Sequence, residues 1–206
     1  MTAEFEEFPK IARLFRAMVV TEKIDGTNSQ VLVPDDPSAP LLAGSRNRWL
    51  TTDKTGDNFG FAAWVAEHAD ELRTLGPGRH FGEWWGAGIQ RRYGLTEKRF
   101  SLFNVARWTD GDATPLSPPA DPRATVKPRE LVPPCCSVVP VLYAGPFTEE
   151  AVHRAMEQLQ NYGSAAAPGF MQPEGVVVWH EAARQLFKIT LGGDGHKEAK
   201  PRKEAA

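Results

Sequence analysis

One lysine stands at the junction of two β-type runs, and no other stretch of the 206 residues constrains the fold as much. Ala17-Met18-Val19-Val20-Thr21 leads into Glu22-Lys23-Ile24-Asp25-Gly26-Thr27-Asn28, and Ser29-Gln30-Val31-Leu32-Val33 follows. The apolar and β-branched residues on both sides predict two strands, with Asp25-Gly26 turning the chain between them. Lys23 then sits on a rigid strand end, a place suited to holding a reactive amine. A solvated lysine beside an ordinary Asp-Gly hairpin would show the same Lys-x-Asp-Gly. Asn28 narrows that choice, because four fixed residues of about 5% usage each match a chain this long by chance only about once in a thousand.

The remaining residues have to supply a single core. A chain of 206 residues with 41% hydrophobic content suits one sizeable domain and leaves little room for a second. There is no run of about 18 apolar residues, and Met1-Thr2-Ala3-Glu4-Phe5-Glu6-Glu7 lacks the basic start and apolar stretch of a signal peptide. A cytoplasmic protein without membrane contact is expected. Cys135 and Cys136 are adjacent, which suits neither an ordinary structural disulfide nor a four-ligand zinc site, so they read as small, partly buried hydrophobes. A net charge of -2 gives no global attraction to nucleic acid, and any such binding needs a local basic surface.

Along the chain, residues 9–15 suit a short helix with Pro9 at its first position. Residues 41–49 read as a strand ending in Arg46 and Arg48. The clearest helix is predicted over 61–75, with Phe61, Val65, Ala69, Leu72 and Leu75 at helical spacing and Gly76-Pro77-Gly78 as its stop. Arg79-His80-Phe81-Gly82-Glu83-Trp84-Trp85-Gly86 reads as a strand with a carboxylate among aromatics. Burying that carboxylate is costly without partners, so Glu83 either points to solvent or holds a ligand. The segment from Gln90 through Arg91 and Arg92 to Lys98-Arg99 is basic; solvation alone would explain its charges. Residues 100–106 read as a strand in which spacing alone makes Phe103 a core residue. Residues 110–134, rich in Pro, Asp and Thr, suit an irregular surface crossing. A strand over 137–143 and a helix capped by Thr148 follow, then a small-residue loop at 164–169. Two strands, 174–179 and 184–190, close a domain of residues 1–191, and 192–206 suit a loose tail.

Taken in order, these pieces resemble the covalent nucleotidyltransferases, the superfamily of DNA ligases, RNA ligases and mRNA-capping enzymes. Lys23-Ile24-Asp25-Gly26-Thr27-Asn28 is similar to the nucleophile motif, Ser45-Arg46 to the arginine element after it, and Phe81-Gly82-Glu83 to the third motif. Phe100-Ser101-Leu102-Phe103 resembles the strand whose aromatic stacks on the base. Glu174-Gly175-Val176-Val177 and Phe187-Lys188 are similar to the fourth and fifth motifs. Asn28 at the sixth motif position and Phe81-Gly82-Glu83-Trp84-Trp85-Gly86 look most like the RNA ligases.

The resemblance implies an α+β nucleotidyltransferase (ATP-grasp-like ligase) fold: antiparallel sheets with flanking helices and the nucleotide in a cleft between them. It implies ATP and Mg2+ or Mn2+ as cofactors. Lys23 would be the nucleophile, with Lys188 and Glu174 as the other catalytic residues and Glu174 as metal ligand. The nucleotide would be held by Glu22, Lys23, Asn28, Arg46, Glu83, Phe103, Glu174 and Lys188. Nucleic acid, as RNA ends or nicks, would meet Asn28, Arg46, Arg91 and Arg92. A free lysine amine is neutral only about one time in a thousand at neutral pH, a deficit of roughly 4 kcal/mol that neighbouring cations would have to offset. Lys188, Arg46 and a divalent metal are the implied sources.

Three departures stand out. The fifth motif of the superfamily carries Lys-x-Lys, whereas Lys188-Ile189-Thr190 has Thr190 in the second place; Lys197 or a partner would have to supply the missing charge. Asn104 stands where many ligases have aspartate. Only 191–206 follow the fifth motif, which leaves no space for a C-terminal accessory domain, so a partner protein could take its place. The expected activity is ATP-dependent RNA ligation through a lysyl-AMP intermediate. Capping-like transfer to another acceptor, or a nucleotide- or RNA-end-binding module without turnover, are the alternatives.

Overall fold

The computed structural model describes residues 4–109 and 131–192. In chain order its elements are β1 (Ala17–Lys23), β2 (Thr27–Val33), β3 (Leu42–Ser45), α1 (Phe61–Glu67), α2 (Ala69–Arg73), β4 (Gly78–Gly86), β5 (Lys98–Leu102), α3 (Val105–Trp108), β6 (Cys136–Val138), β7 (Val141–Pro146), α4 (Glu149–Tyr162), β8 (Gly175–His180) and β9 (Gln185–Thr190). They form a four-stranded sheet, β7-β1-β8-β9, and a five-stranded sheet, β3-β2-β4-β5-β6. All pairings are antiparallel except β5 with β6. The expected α+β architecture is therefore present. No helix among the described residues is long and apolar enough to cross a membrane.

Strand alternation decides what each sheet shows to the cleft. In β1, Met18, Val20 and Glu22 are buried, while Val19, Thr21 and Lys23 face the opposite side. Met18, Val20, Val176 and Val178 pack on Ala151, Val152, Ala155 and Leu159 of α4. That helix begins where Thr148 Oγ1 accepts from the Ala151 amide, and it ends at Gly163, whose φ of +81° a side chain would strain. The fully buried Leu159 alone contributes on the order of 2 kcal/mol of apolar burial. In the larger sheet, Val31, Val33, Trp84, Phe100 and Leu102 close a core against Phe61, Ala62, Val65 and Leu72. Its other face carries Asn28, Gln30, Phe81 and Glu83, paired Asn28 with Glu83 and Gln30 with Phe81.

β1 and β2 lie in different sheets. Ile24 to Gly26 is therefore a crossing between sheets, not the hairpin turn that Asp-Gly suggests. Ile24 is buried against Trp85, Tyr93, Val139 and Ala167 at the junction. Gly26 passes so close to β4 that a Cβ there would lie 2.5 Å from the Trp84 carbonyl oxygen and 2.7 Å from the Trp85 Cβ.

Several boundaries differ from expectation. The helix expected over 61–75 breaks at His68, whose φ of -102° and ψ of 22° separate α1 from α2. The strand expected to run to residue 49 stops at Ser45, where the chain reverses: the Ser45 amide donates to the Arg48 carbonyl, and Gly44 pairs with Trp49. Arg46 and Arg48 thus sit on a turn. The strand expected over 100–106 starts earlier, at Lys98, and ends at Leu102; Val105 is helical. Residues 9–15 form no helix, and Phe8, Ile11, Leu14 and Phe15 are exposed. So short a segment, with nothing to bury its apolar side, does not offset the cost of helix nucleation. Cys135 and Cys136 are half-buried against the larger core, as expected. Most of the expected 110–134 crossing and of the tail, including Lys197, lies outside the described residues.

Candidate functional site

Lys23 ends β1 on the cleft face, with Gly175 opposite it on β8 and Thr190 opposite Gly175 on β9. Lys23 Nζ donates to Glu174 Oε2 at 2.5 Å, a part-buried ion pair. Lys188 pairs with Val177, which pairs with Thr21, so the register gives Lys188 the same face as Lys23. Its side chain is exposed. Thr190, in the place of the superfamily's second lysine, also faces this side.

The larger sheet brings Glu83 to the cleft from the other direction. Glu83 is buried, which resolves the choice between solvent and interior. Its Oε1 accepts from the Gly26 amide at 3.1 Å and its Oε2 from Asn28 Nδ2 at 3.0 Å. Burial pushes its pKa up to about 7, against the Asn28 hydrogen bond, the Lys23 charge and the Gly26 amide, while the Glu174 charge adds to the rise. Lys23, Glu174 and Glu83 therefore feel one another across the cleft. Asn28, expected to touch nucleotide and RNA, uses its amide nitrogen on Glu83.

Two residues expected in the site serve its frame. Glu22, next to Lys23 in sequence, points to the opposite face by strand alternation. There Oε1 accepts from Ser164 Oγ at 2.6 Å and Oε2 from the Ala166 amide at 2.8 Å. Burial raises its pKa, and these donors oppose the rise. Its carboxylate anchors the 164–167 loop and does not reach the cleft. Arg91 Nε lies 2.9 Å from Asp25 Oδ2, and its Nη1 donates to the Gln172 carbonyl at 3.1 Å. It clamps the crossing to the segment leading into Glu174 while staying exposed, as Arg92 and Arg46 are.

Phe103 is not core. It is 39% exposed, and its amide donates to the Phe81 carbonyl. Asn104, which stands where many ligases have aspartate, caps α3: its side-chain oxygen accepts from the Arg107 amide. Sequence reasoning missed Tyr93 and Ser164. The Tyr93 hydroxyl accepts from the Asp25 amide at 2.8 Å, and burial raises its pKa. Its place within a basic run hid it; the neighbouring Gly94 was the one sign of a tight turn, in which Gln90, Arg92 and Tyr93 all have positive φ.

Among the described residues no group of three or more His, Cys, Asp or Glu could hold a metal ion by itself. Mg2+ and Mn2+ bound with a nucleotide need only one or two carboxylates, the remaining positions being phosphate oxygens and water. Glu174, within electrostatic reach of Glu83, fits that role.

Two sheets converging on a lysine, with a carboxylate beside the amine and another across the cleft, define a nucleotidyltransferase-type domain. The chain belongs to the RNA ligase family, whose family model matches residues 16–190. Solved structures of an RNA ligase from Naegleria gruberi have the same fold. A variant of that ligase without ligand is 20% identical with a TM-score of 0.54, covering 85% of this chain and 49% of that one. A variant with ATP and Mn is 19% identical with a TM-score of 0.51, at 84% and 49% coverage. A variant with AMP and Mn is 19% identical with a TM-score of 0.53, at 86% and 50%. The chain thus spans about half the length of the Naegleria chains. No curated protein matches it in sequence.

Proposed function

We propose that this protein is an ATP-dependent RNA ligase that works through a lysyl-AMP intermediate. The observation that carries the reading is the placement of Lys23, which ends its strand on the cleft face with Glu174 at 2.5 Å and Glu83 on the facing sheet. Family membership and the ATP and Mn in the Naegleria ligase structures support it.

In the first step the Lys23 amine attacks the α-phosphorus of ATP. An N–P bond forms, the bond from that phosphorus to the bridging oxygen breaks, and pyrophosphate leaves. Glu174 holds the amine in position and is the nearest acceptor for the proton it must lose. Lys188 and Arg46 neutralise charge developing on phosphate oxygens. Glu83, its carboxylate braced by Gly26 and Asn28, accepts from ribose hydroxyls, and Phe103 stacks on the base. A divalent ion held by Glu174 would supply further charge neutralisation at the phosphates. In the second step a 5′-phosphate oxygen displaces Lys23 from the adenylate. In the third a 3′-hydroxyl attacks that 5′-phosphate and AMP leaves. Arg46 and Arg92 are the exposed cations assigned to the RNA ends.

Incubation with α-labelled ATP and Mn2+, followed by denaturation, tests the reading. Label should stay on the wild-type chain and vanish in Lys23→Ala; label that persists in the variant, or is absent from the wild type, overturns it. Nicked duplexes and 5′-phosphorylated single strands then separate ligation from transfer to another acceptor.

A further inference from the structure

The cleft face of the larger sheet continues past Asn28 and Glu83, and apart from Phe103 no mechanistic step uses the next row. That row crosses four neighbouring strands. Gly44 on β3 pairs with Gln30 on β2, and Gln30 with Phe81 on β4; the Phe103 amide at the end of β5 donates to the Phe81 carbonyl. Trp49 pairs with Gly44 from the returning chain. Leu50 and Leu102, the neighbours of Trp49 and Phe103, are in the core, so alternation turns both rings outward.

Three aromatics are thereby presented to solvent on one β surface: Trp49 at 43%, Phe81 at 52% and Phe103 at 39% exposure. Phe103 and Phe81 lie one strand apart, Phe81 and Gly44 two, and the Trp49 backbone one further, at about 4.8 Å per strand. The outermost ring is held in place. Arg79 lies over Trp49 at 5.1 Å from the ring centre and donates to Gln30 Oε1 at 2.9 Å. A Cβ on Gly44 would come within 2.8 Å of Gln30 Cγ and 3.1 Å of Trp49 Cε3, so residue 44 leaves both side chains room to cover it.

Rings spaced by polar and cationic groups make a poor apolar docking patch, but they match the demands of an unpaired polynucleotide, whose bases stack while its phosphates meet arginines. The row adjoins the Asn28–Glu83 pair, two residues along each strand. We propose that Trp49, Phe81 and Arg79 form a stacking platform for single-stranded RNA that leads a strand end toward Lys23 and stops short of Phe103, whose ring takes the nucleotide base. The proposal rests on the ligase reading of the cleft.

Its test is fluorescence anisotropy of a 5′-labelled 12-nucleotide single-stranded RNA, without ATP. Trp49→Ala and Phe81→Ala should each weaken binding about tenfold, the loss of one base stack. Trp49→Phe and Phe81→Tyr should stay within about twofold of wild type, and an unlabelled RNA duplex should compete more weakly than the single strand. Circular dichroism and melting of each variant separate lost contacts from lost folding. Unchanged affinity in the alanine variants, equal losses in the aromatic replacements, or a duplex that competes as well as the strand would overturn the platform. Lysyl-AMP labelling is scored separately, so label with unchanged RNA affinity sinks the platform alone, and absence of label sinks the ligase reading.

Discussion

Lys23 Nζ and Glu174 Oε2 lie 2.5 Å apart although the two residues are 151 positions apart in the chain, joined by the antiparallel pairing of β1 with β8. The contact puts a carboxylate on the amine that the proposed first step would deprotonate. Glu174→Gln keeps a polar side chain of the same size and removes the charge. Formation of covalent nucleotide on Lys23 should fall on the order of 100-fold in that variant, measured by single-turnover labelling. A rate within about threefold of wild type would remove Glu174 from the first step.

Glu83 gives a pH prediction. Its carboxyl is pushed up to about 7 by burial, above its usual value, so the folded state holds a proton that the unfolded chain releases. Stability from this group is present in full below about 4.5 and is lost as pH rises through about 7. Urea unfolding at pH 5 and pH 8 should show the wild type losing on the order of 2 kcal/mol more across that interval than Glu83→Gln. Equal losses in both proteins would mean that the buried carboxylate is fully compensated by Gly26 and Asn28.

Thr190 offers a gain-of-function test. It shares a cross-strand row with Gly175 and Lys23, so a lysine there would project into the cleft. Thr190→Lys should speed lysyl-AMP formation about tenfold by adding a cation near the phosphates. A slower or unchanged first step would show that the missing charge is supplied elsewhere.

Gly26 is a steric prediction. Any Cβ meets the Trp84 carbonyl at 2.5 Å, an atom that belongs to a paired strand and cannot easily retreat. Gly26→Ala should destabilise the fold by about 2 kcal/mol or more in chemical denaturation and displace the amide that Glu83 accepts from. Normal stability would mean that the crossing has slack.

The strands around Lys23 and Glu83 and the helix after Thr148 were legible because alternation and capping are local properties. Faces were harder to read. Spacing assigned Phe103 to the core, yet β5 ends one residue before it, where the rule that buries Leu102 turns its neighbour outward. Glu22 was grouped with Lys23 by adjacency, although consecutive strand residues point to opposite sides. Arg91 is the exposed cation that the sequence suggests, but its partners, Asp25 and Gln172, are distant in sequence, and no periodicity reports a long-range ion pair. Asp-Gly announced the break between two strands without saying that the chain leaves one sheet for another there.

That crossing from Ile24 to Gly26 has a mechanical consequence. Lys23, the proposed nucleophile, ends the smaller sheet, and Glu83, assigned to grip the ribose, belongs to the larger; these three residues are the covalent path that leads straight from Lys23 into the larger sheet. Pinned by the Ile24 side chain, the Tyr93 hydroxyl and the β4 backbone, they work as a fixed ruler, so the separation of the Lys23 strand end from the Glu83 strand is set by the chain's own bond lengths before any substrate arrives.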